Sequence, residues 1–171
     1  MAARPFLVHV ADLVGRPGAH RRERVSGSLG GLRVVDASVP PDAEVLVDTL
    51  LEWVSDGVLA TGTASAPWVG ECRRCLGPVA GDLSVGFREL FSPSVEEGDG
   101  YPFRGEQIDL GPLARETLLL ELPLAPLCAD DCQGLCPTCG ADLNEGQCQC
   151  APEDVDPRWA ALDVLRGDLG E

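Results

Sequence analysis

Cys136-Pro137-Thr138-Cys139-Gly140 is followed, seven residues further on, by Cys148-Gln149-Cys150. Two close cysteine pairs are the donor set of a tetrahedral metal site with soft ligands, and the spacing is that of a small zinc ribbon. A Cys-x-x-Cys turn sets two thiolates on one side of a tight loop with backbone amides aimed at sulfur. Gly140 supplies the backbone freedom that such a turn uses. About fifteen residues this poor in apolar side chains bury no core, so a metal must organise them. A disulfide-linked loop and loose reduced thiols are the competing readings.

Four cysteines remain: Cys72 and Cys75, which flank Arg73-Arg74, and Cys128 and Cys132. Together they would form a second four-thiolate site, with Arg73 and Arg74 supplying hydrogen-bond donors around it. Because 52 residues separate Cys75 from Cys128, another partition stays open, in which Cys132 joins Cys136 and Cys139. Two complete sets of four leave no open coordination position, so either metal would be structural rather than catalytic. Dithiol redox chemistry is the other use of a Cys-x-x-Cys pair. Here neither pair lies in a βαβ context, and each has companion cysteines that make better sense as ligands. The only imidazoles are His9, in an apolar stretch, and His20, among arginines. There is no glycine-rich phosphate loop and no Ser/His arrangement, so the chain reads as non-enzymatic.

The elements that must hold these cysteines read mostly as strands. Phe6–Val10 is a first strand and Leu29–Val39 a second. Ala43–Val54 and Val58–Ala66 form a hairpin about the turn Ser55-Asp56-Gly57, and Val79–Phe91 leaves the Cys72/Cys75 turn. Glu96, Glu97 and Asp99 mark an acidic loop. Asp109 is an N-cap and Pro112 a first-turn residue of a helix over Leu113–Leu122, ended by Pro123. That helix is apolar on more than one side and should pack across the sheet. Asp156-Pro157 opens a terminal helix with Trp159, Leu162 and Leu165 at helical spacing.

The 171 residues carry a formal charge of −15 and 44 % apolar residues, without a signal-peptide pattern or an apolar run long enough to span a bilayer. The expectation is a cytoplasmic protein, where paired cysteines bind metal more often than they form disulfides. So acidic a chain is repelled by bulk nucleic acid and suits basic protein partners. Arg21, Arg22 and Arg24 form a local basic patch that reads as a solvated loop or, alternatively, as an RNA contact. The acidic loop at Glu96, Glu97 and Asp99 is the matching candidate surface for a basic partner.

Three stretches carry a family resemblance: Glu71-Cys-Arg-Arg-Cys-Leu76, Ile108 to Pro123, and the cysteine string from Pro126 to Asn144. They resemble the YceD family, the bacterial large ribosomal RNA subunit accumulation proteins, which have plastid relatives. Asp156-Pro-Arg-Trp-Ala-Ala-Leu162 is similar to the family's cysteine-rich branch. The resemblance implies a role in accumulation or processing of large-subunit (23S) ribosomal RNA, and hence in ribosome assembly. It implies contact with a ribosomal protein or a large-subunit precursor, and it supplies no catalytic residue. The fold expected is α+β, mainly antiparallel β with one or two packing helices: a β-rich domain over residues 1–127 with a helix near 112–122, and a cysteine-rich, zinc-ribbon-like module with a terminal helix over 128–171. Direct RNA binding and thiol oxidoreductase activity are the alternatives to an assembly factor that acts through protein contacts.

Overall fold

The computed structural model describes residues 4–55, 57–95, 100–103 and 105–150. The chain divides into two compact units, residues 1–132 and 133–171. The first contains β1 (Leu7–His9), β2 (His20–Gly27), β3 (Leu32–Arg33), β4 (Ala37–Val39), β5 (Val45–Val54), β6 (Gly57–Glu71), β7 (Pro78–Ser92), β8 (Tyr101–Pro102), β9 (Gln107–Asp109) and α1 (Leu110–Glu121).

The period of two in β5 puts Val45, Val47, Thr49 and Leu51 on one buried face, with Thr49 donating its hydroxyl to the Thr61 carbonyl at 3.2 Å. β6 continues that face with Ala60, Ala64 and Ala66, small side chains over which a helix can lie close. α1 meets β6 and β7 and closes the core with Leu110, Leu113, Ala114 and Leu118. Asp109 caps the helix by accepting from the Gly111 amide at 2.9 Å, satisfying one otherwise orphaned donor. Leu122 is the C-cap, directly before Pro123. Leu120 lies outside the core, 85 % exposed, so the second apolar side of the helix faces away from the sheet.

One sheet runs in the order β2-β5-β6-β4-β3, with β7 on β6 and β8 parallel to β7; β1 and β9 form a separate antiparallel pair. β6 is the spine: it holds β5 and then β4 on one side and β7 on the other. Three expectations change. The stretch containing Arg21, Arg22 and Arg24 is the edge strand β2 rather than a loop, paired with β5 from His20↔Glu52 to Gly27↔Val45. Both faces of β2 are at least partly exposed, so it lacks the apolar alternation by which the other strands announce themselves. The expected strand over Leu29–Val39 is instead two short ones, β3 and β4, folded back on each other with Leu32 opposite Val39. The return strand after Gly57 runs past Ala66 and Trp68 to Glu71, which carries it up to the first cysteine pair. Glu96, Glu97, Asp99 and the expected terminal helix at 156–165 lie outside the described residues.

Candidate metal centres

The β6–β7 hairpin ends in the turn that carries Cys72 and Cys75. Cys72 donates its amide to the Gly77 carbonyl at 2.7 Å, and Leu76 donates to the Cys72 carbonyl at 2.9 Å. The second unit repeats this wiring. Cys136 donates to Ala141 at 2.8 Å and Gly140 donates to the Cys136 carbonyl at 2.9 Å. The residue after the second cysteine is left-handed in both turns: Gly140 has φ 73°, and Leu76 has φ 60°. Leu76 is the only described non-glycine residue with positive φ, so it holds a glycine conformation with a branched side chain.

The structure brings Cys72, Cys75, Cys128 and Cys132 together in the first unit, with all four Sγ atoms within 4.8 Å of one another. Cys136, Cys139, Cys148 and Cys150 gather in the second unit within the same limit. In the first cluster Cys72 and Cys132 lie 3.8 Å apart at sulfur, and Cys75 and Cys128 lie 3.6 Å apart. A disulfide needs about 2.05 Å. Sulfurs about 2.3 Å from one tetrahedral ion lie about 3.8 Å from each other. The spacing is that of four ligands around a common ion, and none of the eight cysteines is joined in a disulfide. Either group of four can hold a metal ion.

Proton affinities within each cluster diverge. The Cys75 amide holds the Cys72 thiol down to about 6, against the opposing effect of burial. The Cys139 amide does the same for Cys136, also to about 6. Neighbouring thiols act the other way on one member of each cluster: Cys132 foremost pushes Cys128 up to about 12, and Cys139 foremost pushes Cys150 up to about 12. Four sulfurs this close cannot all ionise unless a cation neutralises their mutual repulsion, which a divalent ion would do.

The surroundings are built from backbone as much as from side chains. Arg73 donates its amide to Pro126, and the Arg74 guanidinium donates to the carbonyls of Asp130 (3.0 Å) and Cys132 (2.9 Å). Arg74 therefore gives its donors to the loop that carries two of the cysteines. In the second unit Leu143 donates to Gly134 at 2.9 Å, and the Asn144 side chain accepts from the Gln133 amide at 2.8 Å. Both bonds close the cysteine loop at its base. Sequence reasoning missed Leu76 and Asn144. The signal for Leu76 was its place, aligned with Gly140 after a Cys-x-x-Cys turn.

The three arginines of the basic patch do not share one face of β2. Arg21 donates to Asp12 Oδ1 at 2.7 Å and to the His9 carbonyl at 2.7 Å, and lies 3.1 Å from Glu23. Strand alternation puts Arg22 and Arg24 on the opposite, exposed face, in register with Leu50 and Asp48 of β5.

Residues 60–166 match the family described as large ribosomal RNA subunit accumulation protein YceD. The chain is similar to an uncharacterised protein of Mycobacterium tuberculosis strain H37Rv, 38% identical over 189 residues that span 97% of this chain and 87% of the relative. It is similar also to a protein of Arabidopsis thaliana named large ribosomal RNA subunit accumulation protein YCED homolog 1, chloroplastic. That match is 33% identical over 69 residues, 40% of this chain and 22% of the relative. YlbN, an uncharacterised protein of Bacillus subtilis, is 30% identical over 108 residues, 60% of this chain and 63% of its own. No solved structure matches. On the family match over residues 60–166, more than half of its length, this chain belongs to the YceD family.

Proposed function

We propose that the protein is a non-enzymatic ribosome-assembly factor of the cytoplasm that supports accumulation or processing of large-subunit ribosomal RNA, with a structural zinc ion in each cysteine cluster. Membership of a family named for that role carries the reading. Zinc is favoured because an all-thiolate tetrahedral donor set suits a soft-tolerant ion without a geometric preference of its own. Four protein ligands per ion leave no place for a metal-bound water, so the ions shape the chain rather than perform chemistry. Partner recognition falls to the protein surface. At a charge of −15, that surface attracts basic ribosomal protein and repels free RNA.

Deleting the gene and measuring mature and precursor large-subunit ribosomal RNA tests the role, together with sequencing of RNA and identification of proteins that co-purify with the tagged chain. Precursor accumulation and co-purified large-subunit particles are expected. An unchanged RNA profile with no ribosomal material retained overturns the reading. Elemental analysis tests the metal: about two zinc per chain is expected, and metal-free protein with all thiols titratable refutes it.

A further inference from the structure

The two sides of β7 differ. One side is paired with β6 without interruption from Val58↔Phe91 to Glu71↔Pro78. The other side, among the described residues, meets only β8, opposite Phe91 and Ser92. Among the described residues no strand continues the row that β8 begins, from Leu90 back to Val79. Ser92 turns its carbonyl to this side, where it accepts from the Phe103 amide at 3.1 Å. The register with β6 is unbroken, so alternation turns the N–H and C=O groups of Ala80, Asp82, Ser84, Gly86, Arg88 and Leu90 outward as well.

Natural edges are usually blunted by charge. β2 is blunted by Arg21, Arg22, Glu23 and Arg24 in succession. Between Val79 and Phe87, β7 carries Asp82 as its one charge, with half-buried Val79, Leu83, Val85 and Phe87 alternating along one face. Where the open row ends at β8, a groove of about 910 Å³ is lined, among the described residues, by Glu89, Asp109 and Glu116 against a single cation, Arg4. Tyr101 donates its hydroxyl to Glu116 there at 2.6 Å. Burial foremost, then the Glu116 and Glu89 carboxylates, raise its phenol above the ordinary value.

We propose that the open edge of β7 takes an extended basic peptide segment of a partner protein as an added strand, with the acidic groove receiving its cationic side chains. Main-chain hydrogen bonds give such a strand its affinity, and alternate side chains give it specificity. Charge selects the occupant. A second copy of this chain would bring another −15 to the contact, and residues 151–171 carry six acids and two arginines. RNA has no amide backbone to continue the sheet. The proposal rests on the assembly-factor reading in one respect: that reading makes a basic ribosomal protein the source of the segment.

The test uses the full, metal-loaded chain and a synthetic peptide that alternates Lys with Val and spans residues 79–90. Amide hydrogen exchange at the outward positions of β7 should slow by about ten-fold when the peptide binds. Ser84→Pro removes one outward N–H at an edge position and should abolish the protection with metal content unchanged. Glu89→Lys should weaken binding several-fold by charge alone, which keeps the test valid if the proline variant misfolds. The proposal is overturned if the peptide leaves exchange unchanged, if a peptide with Glu in place of Lys protects equally, or if Glu89→Lys binds unimpaired. It is overturned also if these amides are already protected in the free protein, because the chain itself or a second copy then fills the edge. A deletion strain with normal large-subunit RNA would remove the assembly reading and leave the peptide result standing, so the two failures are separable.

Discussion

Leu76 and Gly140 occupy the same place in two copies of one turn, with the same pair of backbone hydrogen bonds and nearly the same φ. Only glycine adopts that conformation without a Cβ penalty, which for leucine is about 1–2 kcal/mol. The Leu76 side chain recovers little by packing, since it is 62 % exposed. Leu76→Gly should therefore stabilise the first unit. The gain is the relieved strain less the extra freedom that glycine has when unfolded, a net of about 0.5–1 kcal/mol. Thermal unfolding of the metal-loaded protein should show a midpoint raised by about 1–4 °C. A lowered midpoint would mean that the leucine makes contacts worth more than its strain. Gly140→Leu is the mirror experiment and should weaken metal retention in the second unit.

At the scale of elements, the first cluster is assembled from two places far apart in sequence: the tip of the β6–β7 hairpin and the loop after α1. The Arg73 amide on Pro126 and the Arg74 guanidinium on two carbonyls fix the loop against the hairpin. Each cluster draws all its ligands from one unit, so the two should load independently. Cys72→Ser combined with Cys75→Ser should remove one metal equivalent and leave the other in place, as elemental analysis would show. Loss of both would mean that the second unit needs the first in order to fold. How much of this was legible in the sequence follows from range. Asp109 and Pro112 marked the helix start because a cap is a local event, and Val45, Val47 and Leu51 marked β5 because burial imposes a period of two. β2 escaped because an edge strand exposed on both faces has no apolar period, and its charges read as a loop. The grouping of Cys75 with Cys128 could be inferred only by elimination, since spacing alone carries no information across 52 residues. The open edge of β7 was not legible at all, because an unpaired strand side is a property of the sheet order and not of the strand's own residues.

For the whole molecule, the sign of its charge favours one of the two kinds of partner open to the proposed assembly factor, basic protein rather than RNA. Direct phosphate binding needs clustered cations, and each neutralised phosphate adds to the slope with which affinity falls as salt rises. Of the three arginines that suggested such a patch, Arg21 is held by Asp12 and the His9 carbonyl, while Arg24 lies opposite Asp48. Arg22 and Arg24 then have to act within a chain of net charge −15. Binding of isolated large-subunit RNA fragments should accordingly be weak, with a shallow slope corresponding to about two phosphate contacts or fewer. Binding of basic ribosomal protein should be the stronger interaction and should also weaken with salt, because opposite net charges speed the encounter. The combined change Arg22→Ala and Arg24→Ala should leave capture of ribosomal protein unchanged and lower RNA retention by no more than a few-fold. A steep salt slope for RNA fragments, abolished by that same pair of substitutions, would transfer recognition to the β2 face and make the protein a direct RNA binder.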